Sequence, residues 1–513
     1  MTDEKAKFAA LKLRLPKIWA EIETDSDFEH TSVIVPSLSV NQEELAKVLG
    51  SSFYEERLLF ALIRLRNPNA RVIYVTSQPV NPDIVDYYLQ LLDGVTLSHA
   101  RQRLQMVSVF DASSRPLTEK ILERPRLLAR LRSMLGDPNR AYLTCYNSTV
   151  LERTLAVELG IPLNGVDPDL LFYGTKSGSR EIFREAGVQL PLGTENLHTE
   201  DEVVAALVDL GSQRPLITRA VVKLNEGFAG EGNGMFTFPE ERTKPEAVRN
   251  ALHALEFPSP QELYSAFMRK FSEMGGIVEE MVVGTEVRSP SVQMRIHPDG
   301  TNAIVSSHEQ VLGGSTGQVY LGCQFPASDE YRKLLHTEAD KIGNALSSKG
   351  VLGRFGIDFL VCREADGSWN SYAIEINLRM CGTTPPFHAL EFLTGGRLNR
   401  DSGLFYTPQG QMKYYTATDN LKSPAYRGLL PEDLLQIASR HGINFRHATE
   451  TGVLFYMIGA LSQYGKLGMT CIGNSAEEAQ ALFERTVSLL DDQTEGTDHG
   501  VAESIFDHYL GME

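Results

Sequence analysis

The stretch from residue 353 to residue 386 reads GRFGIDFLVCREADGSWNSYAIEINLRMCGTTPP. Two runs rich in β-branched and aromatic residues flank Asp366-Gly367, a dipeptide typical of the two-residue turn of a β-hairpin. In the register that such a turn sets, Asp358 on the first strand faces Glu375 on the second. The stretch therefore predicts a hairpin that carries two acids side by side on one face.

These two acids predict a cation site. Carboxylates on facing positions, with Cβ atoms about 5 Å apart, repel by roughly 3 kcal/mol at an effective dielectric of about 20. Asn377 adds an amide oxygen on the same face, whereas Ile374 and Ile376 face the other way. This oxygen-rich set suits Mg²⁺, with Mn²⁺ as the alternative. A hairpin with solvent-facing acids is the competing interpretation, and a β-bulge would change the register.

A second informative stretch, VVKLNEGFAGEGNGMF, spans residues 221 to 236. Lys223 lies near the end of an apolar run, and four glycines follow before a second alternating run. This order excludes a P-loop, in which the glycines precede the lysine, and a Rossmann loop, in which GxGxxG leads into a helix. The pattern predicts two strands joined by a flexible glycine loop, whose backbone N–H groups and lysine suit a phosphate. A hairpin tip with an incidental lysine is the alternative.

Composition narrows the class of protein. The 513-residue chain has a formal net charge of −17, which argues against nonspecific nucleic-acid binding. The five cysteines lack CxxC spacing, which favours reduced thiols. No apolar run approaches the roughly 20 residues of a membrane helix, and we expect a cytoplasmic protein with no membrane partner.

The sequence divides into three regions with different secondary-structure patterns. The β-rich runs at 31–40, 71–77, 104–111 and 141–147 alternate with helix-like stretches, which predicts an α/β region with a parallel sheet. From about residue 217 turn signals such as HPDG (297–300) predict antiparallel hairpins. A third α+β region starts near residue 400 and ends in an acidic segment, 491–500, that we expect to be loose.

Several stretches, in the same order and with similar spacing, resemble the ATP-grasp enzymes, and within them the peptide ligases of the pheganomycin-biosynthesis type. They are YGTKSGSREIFREAGV (173–188), VVKLNEGFAGEGNG (221–234), IVEEMVVGTEVRSPSVQM (277–294), GRFGIDFLV (353–361), IEINLRMCGTTPPFHAL (374–390) and GALSQYGKLGMTCIG (459–473). The resemblance implies an N-terminal pre-ATP-grasp domain (1–165), an ATP-grasp domain (166–400) with a glycine-rich lid at about 216–283, and a small C-terminal α+β module (401–513).

The resemblance also implies residue roles. Lys176 and Lys223 would hold nucleotide phosphates under the lid that contains Gly230, and Glu286 would hold the ribose. Glu279, the Glu280 carbonyl and the Val282 N–H would meet the adenine. Asp358, Glu375 and Asn377 would be the magnesium ligands, in agreement with the hairpin argument.

Four further residues are candidates on the substrate side. Arg379 follows Asn377 by two residues, on the same strand face, where it would stabilise the transferred phosphoryl group. Gly356 stands where some D-alanine ligase relatives have arginine, so either Arg354 or Arg379 would cover that role or the substrate differs. Arg288 would bind a substrate carboxylate or form a rim salt bridge, and His308 and Gln310 would face the acceptor.

Three functions compete at this point. The first is an ATP-dependent ligase that joins a carboxylate and an amine of small molecules or peptides through an acyl phosphate, releasing ADP and phosphate. The second is another ATP-grasp reaction, such as that of a nonpeptide ligase or a carboxylase. The third is a noncatalytic ATP-binding module. A homodimer is compatible with each.

Overall fold

The computed structural model describes residues 2–40, 45, 48, 50–227, 232–258, 262–313 and 319–494. The N-terminal region is a parallel sheet in the order β3–β2–β1–β4, covered by helices, and it confirms the predicted α/β class. Its elements are α1 (Thr2–Lys12), α2 (Leu15–Thr24), β1 (His30–Val35), a 3-10 helix (Ser51–Arg66), β2 (Ala70–Thr76), α3 (Pro82–Gln90), α4 (Leu97–Arg103), β3 (Leu104–Ser108), α5 (Leu117–Leu122), α6 (Pro125–Met134), β4 (Ala141–Cys145) and α7 (Val150–Leu159).

This sheet is buried on both faces, which explains the continuous apolar runs of its strands. Val33 and Val35 of β1 pack into the core formed with α5 to α7. Ile34, between them, packs into a second core that includes the 3-10 helix and residues of the C-terminal region such as Leu454 and Phe455. The N-terminal sheet and the C-terminal region therefore share one hydrophobic core.

The lid region is an antiparallel sheet in the order β5–β8–β6–β7. Its elements, after a 3-10 helix (Pro168–Gly174), are α8 (Lys176–Glu185), β5 (Gly193–Leu197), α9 (Glu200–Gln213), β6 (Arg219–Leu224), β7 (Asn233–Thr237), α10 (Pro245–Leu252), α11 (Tyr264–Met274) and β8 (Gly276–Glu280). β6 and β7 pair on either side of the glycine loop, as predicted. Gly230 lies outside the described residues.

The sheet that contains the hairpin, called the catalytic sheet for the role expected of its acids, runs β14–β13–β10–β11–β12–β17. Its elements are β9 (Val287–Arg288), β10 (Pro290–Ile296), β11 (Asn302–Gly313), β12 (Val319–Phe325), α12 (Arg332–Ser348), β13 (Gly353–Arg363), β14 (Trp369–Asn377) and α13 (Thr384–Thr394). The α12 residues Leu335, Ile342 and Leu346 pack on Phe355 and Ile357 of one sheet face. The opposite face is thereby left for the acidic residues of the hairpin.

The C-terminal region extends this sheet, because β17 pairs with both β12 and β19. Its elements are β15 (Arg397–Leu398), β16 (Phe405–Tyr406), β17 (Met412–Lys422), α14 (Pro431–Arg440), β18 (Gly452–Tyr456), α15 (Leu461–Tyr464), β19 (Lys466–Gly473) and α16 (Ala476–Thr494). The first residues of the segment that we expected to be loose belong to α16, and Tyr426 Oη donates to Asp491 Oδ1 at 2.6 Å. Residues 495–513 lie outside the described residues. None of the described helices combines the length and apolar character that a membrane span requires.

Candidate active site

The Asp358–Glu375 pairing is confirmed, but the predicted turn is wrong. The Glu364 N–H donates to the Ser368 carbonyl at 2.8 Å, so the loop between them has three residues and not two. Gly367 closes this loop at a φ of +86°, in the left-handed region that glycine tolerates. A β-bulge then shifts the register between Asp358 and Phe359. The extra loop residue and the bulge compensate each other, and the two acids stay opposite.

The bulge also changes the faces of the two isoleucines. Ile376 is fully buried in the core below the sheet, as expected. Ile374 instead lines the cavity that contains Glu375. The expectation that both isoleucines face away from the acids is therefore corrected at Ile374, because the bulge places two successive residues against one partner.

The proposed metal ligands lie together. Gln310 Nε2 donates to Asp358 Oδ1 at 2.7 Å, and Asn377 Nδ2 donates to Oδ2 at 3.0 Å. Burial, and after it the facing Glu375, raises the pKa of Asp358 to about 6. The described residues contain no group of three or more His, Cys, Asp or Glu side chains arranged around a metal position. Two carboxylates and an amide nevertheless fit Mg²⁺, which takes its remaining ligands from phosphates and water.

Lys176 is a buried residue at the start of α8. The Thr175 side chain caps this helix by accepting from the Gly178 N–H at 3.0 Å. The Lys176 ammonium forms an ion pair with Glu375. Asn225, two residues after Lys223, accepts from the Ser177 N–H at 3.0 Å and so ties the helix to the lid strand. Sequence reasoning missed Asn225, which stands in the quoted lid stretch beside the lysine.

Lys223 and Glu279 lie on the same face of the lid sheet, because Val221 pairs with Glu279 in the β6–β8 register. Lys223 Nζ is 2.5 Å from Glu279 Oε1, and Arg180 Nη1 is 3.1 Å from Oε2. The Glu279 carboxylate thus has two cationic partners within the protein. This explains how an acid is tolerated in an otherwise apolar strand.

The segment after β8 connects the lid to the catalytic sheet and lines the cavity through Met281 and Val282. Glu280 precedes it, and its carboxylate accepts from the Leu192 N–H at 2.9 Å and from Arg214 Nε at 3.2 Å. The Glu280 side chain is therefore engaged by the protein. Glu280 and Val282 both line the cavity.

Glu286 and Arg288 pair with each other at the edge of the catalytic sheet. Arg288 Nε donates to Glu286 Oε1 at 2.8 Å, and Arg363 Nη1 approaches Oε2 at 3.4 Å. Val287 and Ser289, beside them, line the cavity. Of the two interpretations of Arg288, the geometry matches the rim salt bridge.

His308 is placed in the core and not against the cavity, which corrects the expectation that it faces the acceptor. Its Nε2 is 2.5 Å from Tyr415 Oη, and its ring packs on Phe325. Burial lowers the pKa of His308 to about 3, so the ring is neutral. Gln310, in contrast, lines the cavity beside Asp358.

Arg379 lines the cavity as expected, but for a different reason. β14 ends at Asn377, and the Arg379 N–H turns back to donate to the Asn377 carbonyl at 2.7 Å. The argument from strand alternation is therefore wrong beyond Asn377. Arg354 lies in a separate cavity, which Arg379 also lines.

The cavity has a volume of about 650 Å³ and continues past Arg379 into a second charged group that sequence reasoning missed. Arg57 Nη1 lies 3.1 Å from Asp419 Oδ2, and its guanidinium carbon is 4.0 Å from the centre of the Tyr54 ring. Lys466 Nζ donates to Tyr54 Oη at 2.8 Å, and burial lowers the pKa of Lys466 to about 8. These residues come from the N-terminal 3-10 helix, β17 and β19, so no local motif reveals them.

Comparison with known proteins identifies the family. An ATP-grasp family model described as IQCH-like matches residues 170–254 and 245–401, and a PGM1 C-terminal domain model matches residues 433–486. The chain is 31% identical over 468 residues to L-propargylglycine–L-glutamate ligase of Streptantibioticus cattleyicolor, covering 90% of this chain and 94% of that protein. This chain belongs to the ATP-grasp family. It is an ATP-dependent carboxylate–amine ligase of that family, as predicted.

Solved structures agree on the fold of this ATP-grasp ligase. The ADP complex of N5-carboxyaminoimidazole ribonucleotide synthetase superposes with a TM-score of 0.51 at 12% identity, covering 91% of this chain and 98% of that one. The biotin carboxylase domain of Hydrogenobacter thermophilus 2-oxoglutarate carboxylase, with MgADP, ADP and bicarbonate, gives 0.53 at 12% identity over 91% and 94% of the two chains. At this identity the likeness concerns architecture and does not favour a carboxylase.

Proposed function

We propose that this ligase forms a peptide or other amide bond between two small molecules, at least one of them an amino acid or a short peptide. A carboxylate is converted to an acyl phosphate, ADP leaves, and attack by an amine releases phosphate. The observation that carries the proposal is that one cavity contains both the Asp358–Glu375 pair with its cations and a second charged group at Arg57. The relative described above, L-propargylglycine–L-glutamate ligase, is named for joining two amino acids, and this supports the same substrate class.

The nucleotide would occupy the half of the cavity between the lid and the catalytic sheet. Lys176 and Lys223 line this half, and each is held by a carboxylate that phosphates would replace or share. The backbone of Glu280 and Val282 would meet the adenine, and Glu286 at the rim would meet the ribose. Gly230 would act with the lid loop. Exclusion of water by that loop would protect the acyl phosphate from hydrolysis.

Asp358, Glu375 and Asn377 would hold Mg²⁺, or Mn²⁺ in its place. The ion would neutralise phosphate charge as the phosphoryl group moves. A half-turn of the Asn377 amide presents its oxygen, in place of the Nδ2 that now donates to Asp358. Gln310, which also donates to Asp358, would orient that carboxylate.

Arg379 lines the cavity and interacts electrostatically with Glu375 and also with Tyr146, over whose ring Arg57 lies. The carboxylate and the transferred phosphoryl group would meet beside it. A guanidinium there offers several N–H donors in one plane, which match the oxygens of a phosphoryl group. Because this charge develops during transfer, the contribution of Arg379 would be larger in the transition state than in nucleotide binding.

The second charged group would hold the amine-bearing substrate. Arg57 Nε and Nη2 are buried and have no hydrogen-bond partner among the described residues, and both belong to a guanidinium at the cavity wall. Arg57 and Lys466 would bind the carboxylate of an amino acid, and Asp419 would bind an ammonium group. Such a site aligns the substrate, which lowers the entropic cost of the second step.

Phosphate release in the presence of ATP and Mg²⁺, measured against amino acids and short peptides singly and in pairs, tests this function. Release that requires one particular pair, with an amide product of matching mass, is the expected result. Bicarbonate-dependent release with no amine requirement, or ATP binding without turnover for every pair, would overturn it in favour of a carboxylase or a binding module. A cytoplasmic location and a homodimer stay predictions.

A further inference from the structure

A second cavity, of about 290 Å³, lies between the N-terminal sheet and the start of β13. The two regions touch at Gly353, whose φ is +106° and on which a Cβ would lie 3.0 Å from Gly165 Cα. This close approach brings the segment after α7, which pairs with β4 through Leu163 and Leu143, against the catalytic sheet. The polar side chains of Asn147 and Asn164 are among those that line the cavity.

Besides Arg379, three arginines from the two regions line this cavity. Arg295 and Arg354 are direct cross-strand partners on β10 and β13, an arrangement in which like charges oppose each other. Arg64 enters from the N-terminal 3-10 helix and donates to Thr144 Oγ1 at 3.2 Å. Burial, and after it the neighbouring Arg295, lowers the pKa of Arg354 to about 9. The cluster therefore concentrates positive charge away from solvent.

Within the described residues, the acids that act on this cluster, Glu391 and Glu23, do so at a distance and form no hydrogen bond with Arg295 or Arg354. In the part of the chain that the structure describes, neither Arg295 nor Arg354 forms a hydrogen bond or an ion pair with a carboxylate. Arg295 instead lies over the Trp19 ring, with its guanidinium carbon 4.3 Å from the ring centre. Glu391 acts on both arginines, but its Oε2 is 2.5 Å from His388 Nδ1. A buried cation without a hydrogen-bonded acid is costly unless a ligand provides one.

We propose that this cavity is an oxyanion site, in which Arg64, Arg295 and Arg354 bind a phosphate or a carboxylate group. Adjacent guanidiniums offer parallel N–H donors that fit the oxygens of either group. The volume is several times the roughly 30 Å³ of one water molecule, so an oxyanion fits together with part of the molecule that carries it.

Arg379 and Tyr146 line both cavities, so the oxyanion site adjoins the proposed reaction centre. Two sources of the anion fit this position. One is a second acidic group on a substrate whose reacting carboxylate lies at Arg379. The other is the phosphate that the reaction releases.

Thermal unfolding with inorganic phosphate tests the site without relying on turnover. Wild type, Arg354→Gln and Arg130→Gln, an exposed control on α6, are melted at constant ionic strength with millimolar phosphate or chloride. A nonhydrolysable ATP analogue and Mg²⁺ are present throughout to fill the nucleotide half. Phosphate is expected to raise the melting temperature of wild type and of Arg130→Gln, and this shift is lost in Arg354→Gln. Equal shifts in all three proteins, or no shift in wild type with either phosphate or succinate, would overturn the proposal.

Stability in chloride alone separates binding from a structural role. Removing one of two opposed cations relieves repulsion, so Arg354→Gln and Arg295→Gln should melt at or above the wild-type temperature. A marked decrease in both variants would identify the arginines as structural and contradict the site. Succinate and acetate distinguish the two sources of the anion. A succinate shift that Arg354→Gln loses indicates a substrate carboxylate as the occupant. A shift with phosphate, and with neither succinate nor acetate, indicates released phosphate.

Discussion

Asp358 and Glu375 lie directly opposite each other on β13 and β14, and the Lys176 ammonium pairs with Glu375. We expect Glu375→Gln to lower ATP-dependent phosphate release by more than about 100-fold, because it removes one of the two carboxylates proposed to bind Mg²⁺ without changing side-chain volume. The circular dichroism spectrum should not change. Phosphate release by both proteins at saturating Mg²⁺ is the measurement.

Glu364→Gln is the matched control for this change. Glu364 is exposed at the loop of the same hairpin, so its substitution should leave phosphate release at the wild-type level. A folded Glu375→Gln variant that turns over like this control would refute the magnesium assignment.

The hairpin shows how far sequence reasoning reaches. Facing acids could be predicted because strand pairing has a period of two residues, and both the loop and the bulge preserve that pairing at Asp358. The side on which Ile374 lies could not, since a bulge depends on contacts with neighbouring strands. Arg379 lines the expected cavity, but strand alternation does not explain its position, because β14 ends at Asn377.

Lys223→Gln should raise the dissociation constant of ATP by about 10- to 100-fold, which corresponds to about 1.4 to 2.8 kcal/mol of lost phosphate interaction. The fold should persist, because Glu279 keeps Arg180 as a partner at 3.1 Å. Titration of a fluorescent ATP analogue measures this. Lys244→Gln, an exposed lysine of the same lid region, should bind ATP like wild type, and a Lys223→Gln variant that does the same would exclude this lysine from the phosphate site.

Arg379→Lys should lower kcat by roughly 100-fold while changing ATP affinity by less than about threefold, because lysine keeps the charge but loses the planar set of donors. Steady-state kinetics and equilibrium ATP binding, measured on the same preparation, separate the two effects. Equal losses in both quantities would show that Arg379 binds the nucleotide in its ground state.

The stability of Glu56→Gln relative to wild type should increase as the pH is raised. Burial raises the pKa of Glu56 from 4.5 to about 7, so the folded state holds this proton more tightly than the unfolded state does. The stability from that proton is fully present below pH 4.5 and is lost as pH rises through 7, which costs wild type about 3 kcal/mol by pH 8. Glutamine cannot ionise and should escape this loss.

Melting temperatures at pH 5, 6.5 and 8, in steps chosen to bracket the raised pKa, test the effect. The difference between Glu56→Gln and wild type should grow in favour of the variant across this range. The exposed Glu240→Gln control should follow wild type throughout. Parallel curves for all three proteins would show that Glu56 does not titrate in this window.

The residues of the substrate half of the site could not be predicted from the sequence, for a physical reason. Arg57, Asp419 and Lys466 meet because the N-terminal and C-terminal regions share one core, and their separation along the chain leaves no local pattern. The prediction for His308 is wrong for a related reason. Its position on the strand gave no sign that Tyr415 and Phe325, from other strands, contact its ring and keep it in the core. Contacts between distant segments decide both cases.

The central claim is that a carboxylate is activated as an acyl phosphate in this cavity. Transfer of ¹⁸O from a labelled carboxylic acid to released phosphate tests it most directly, with the acid and amine pair that supports turnover. One ¹⁸O atom is expected in each phosphate released, together with ADP. Amide product accompanied by unlabelled phosphate, or by AMP and pyrophosphate, would contradict it.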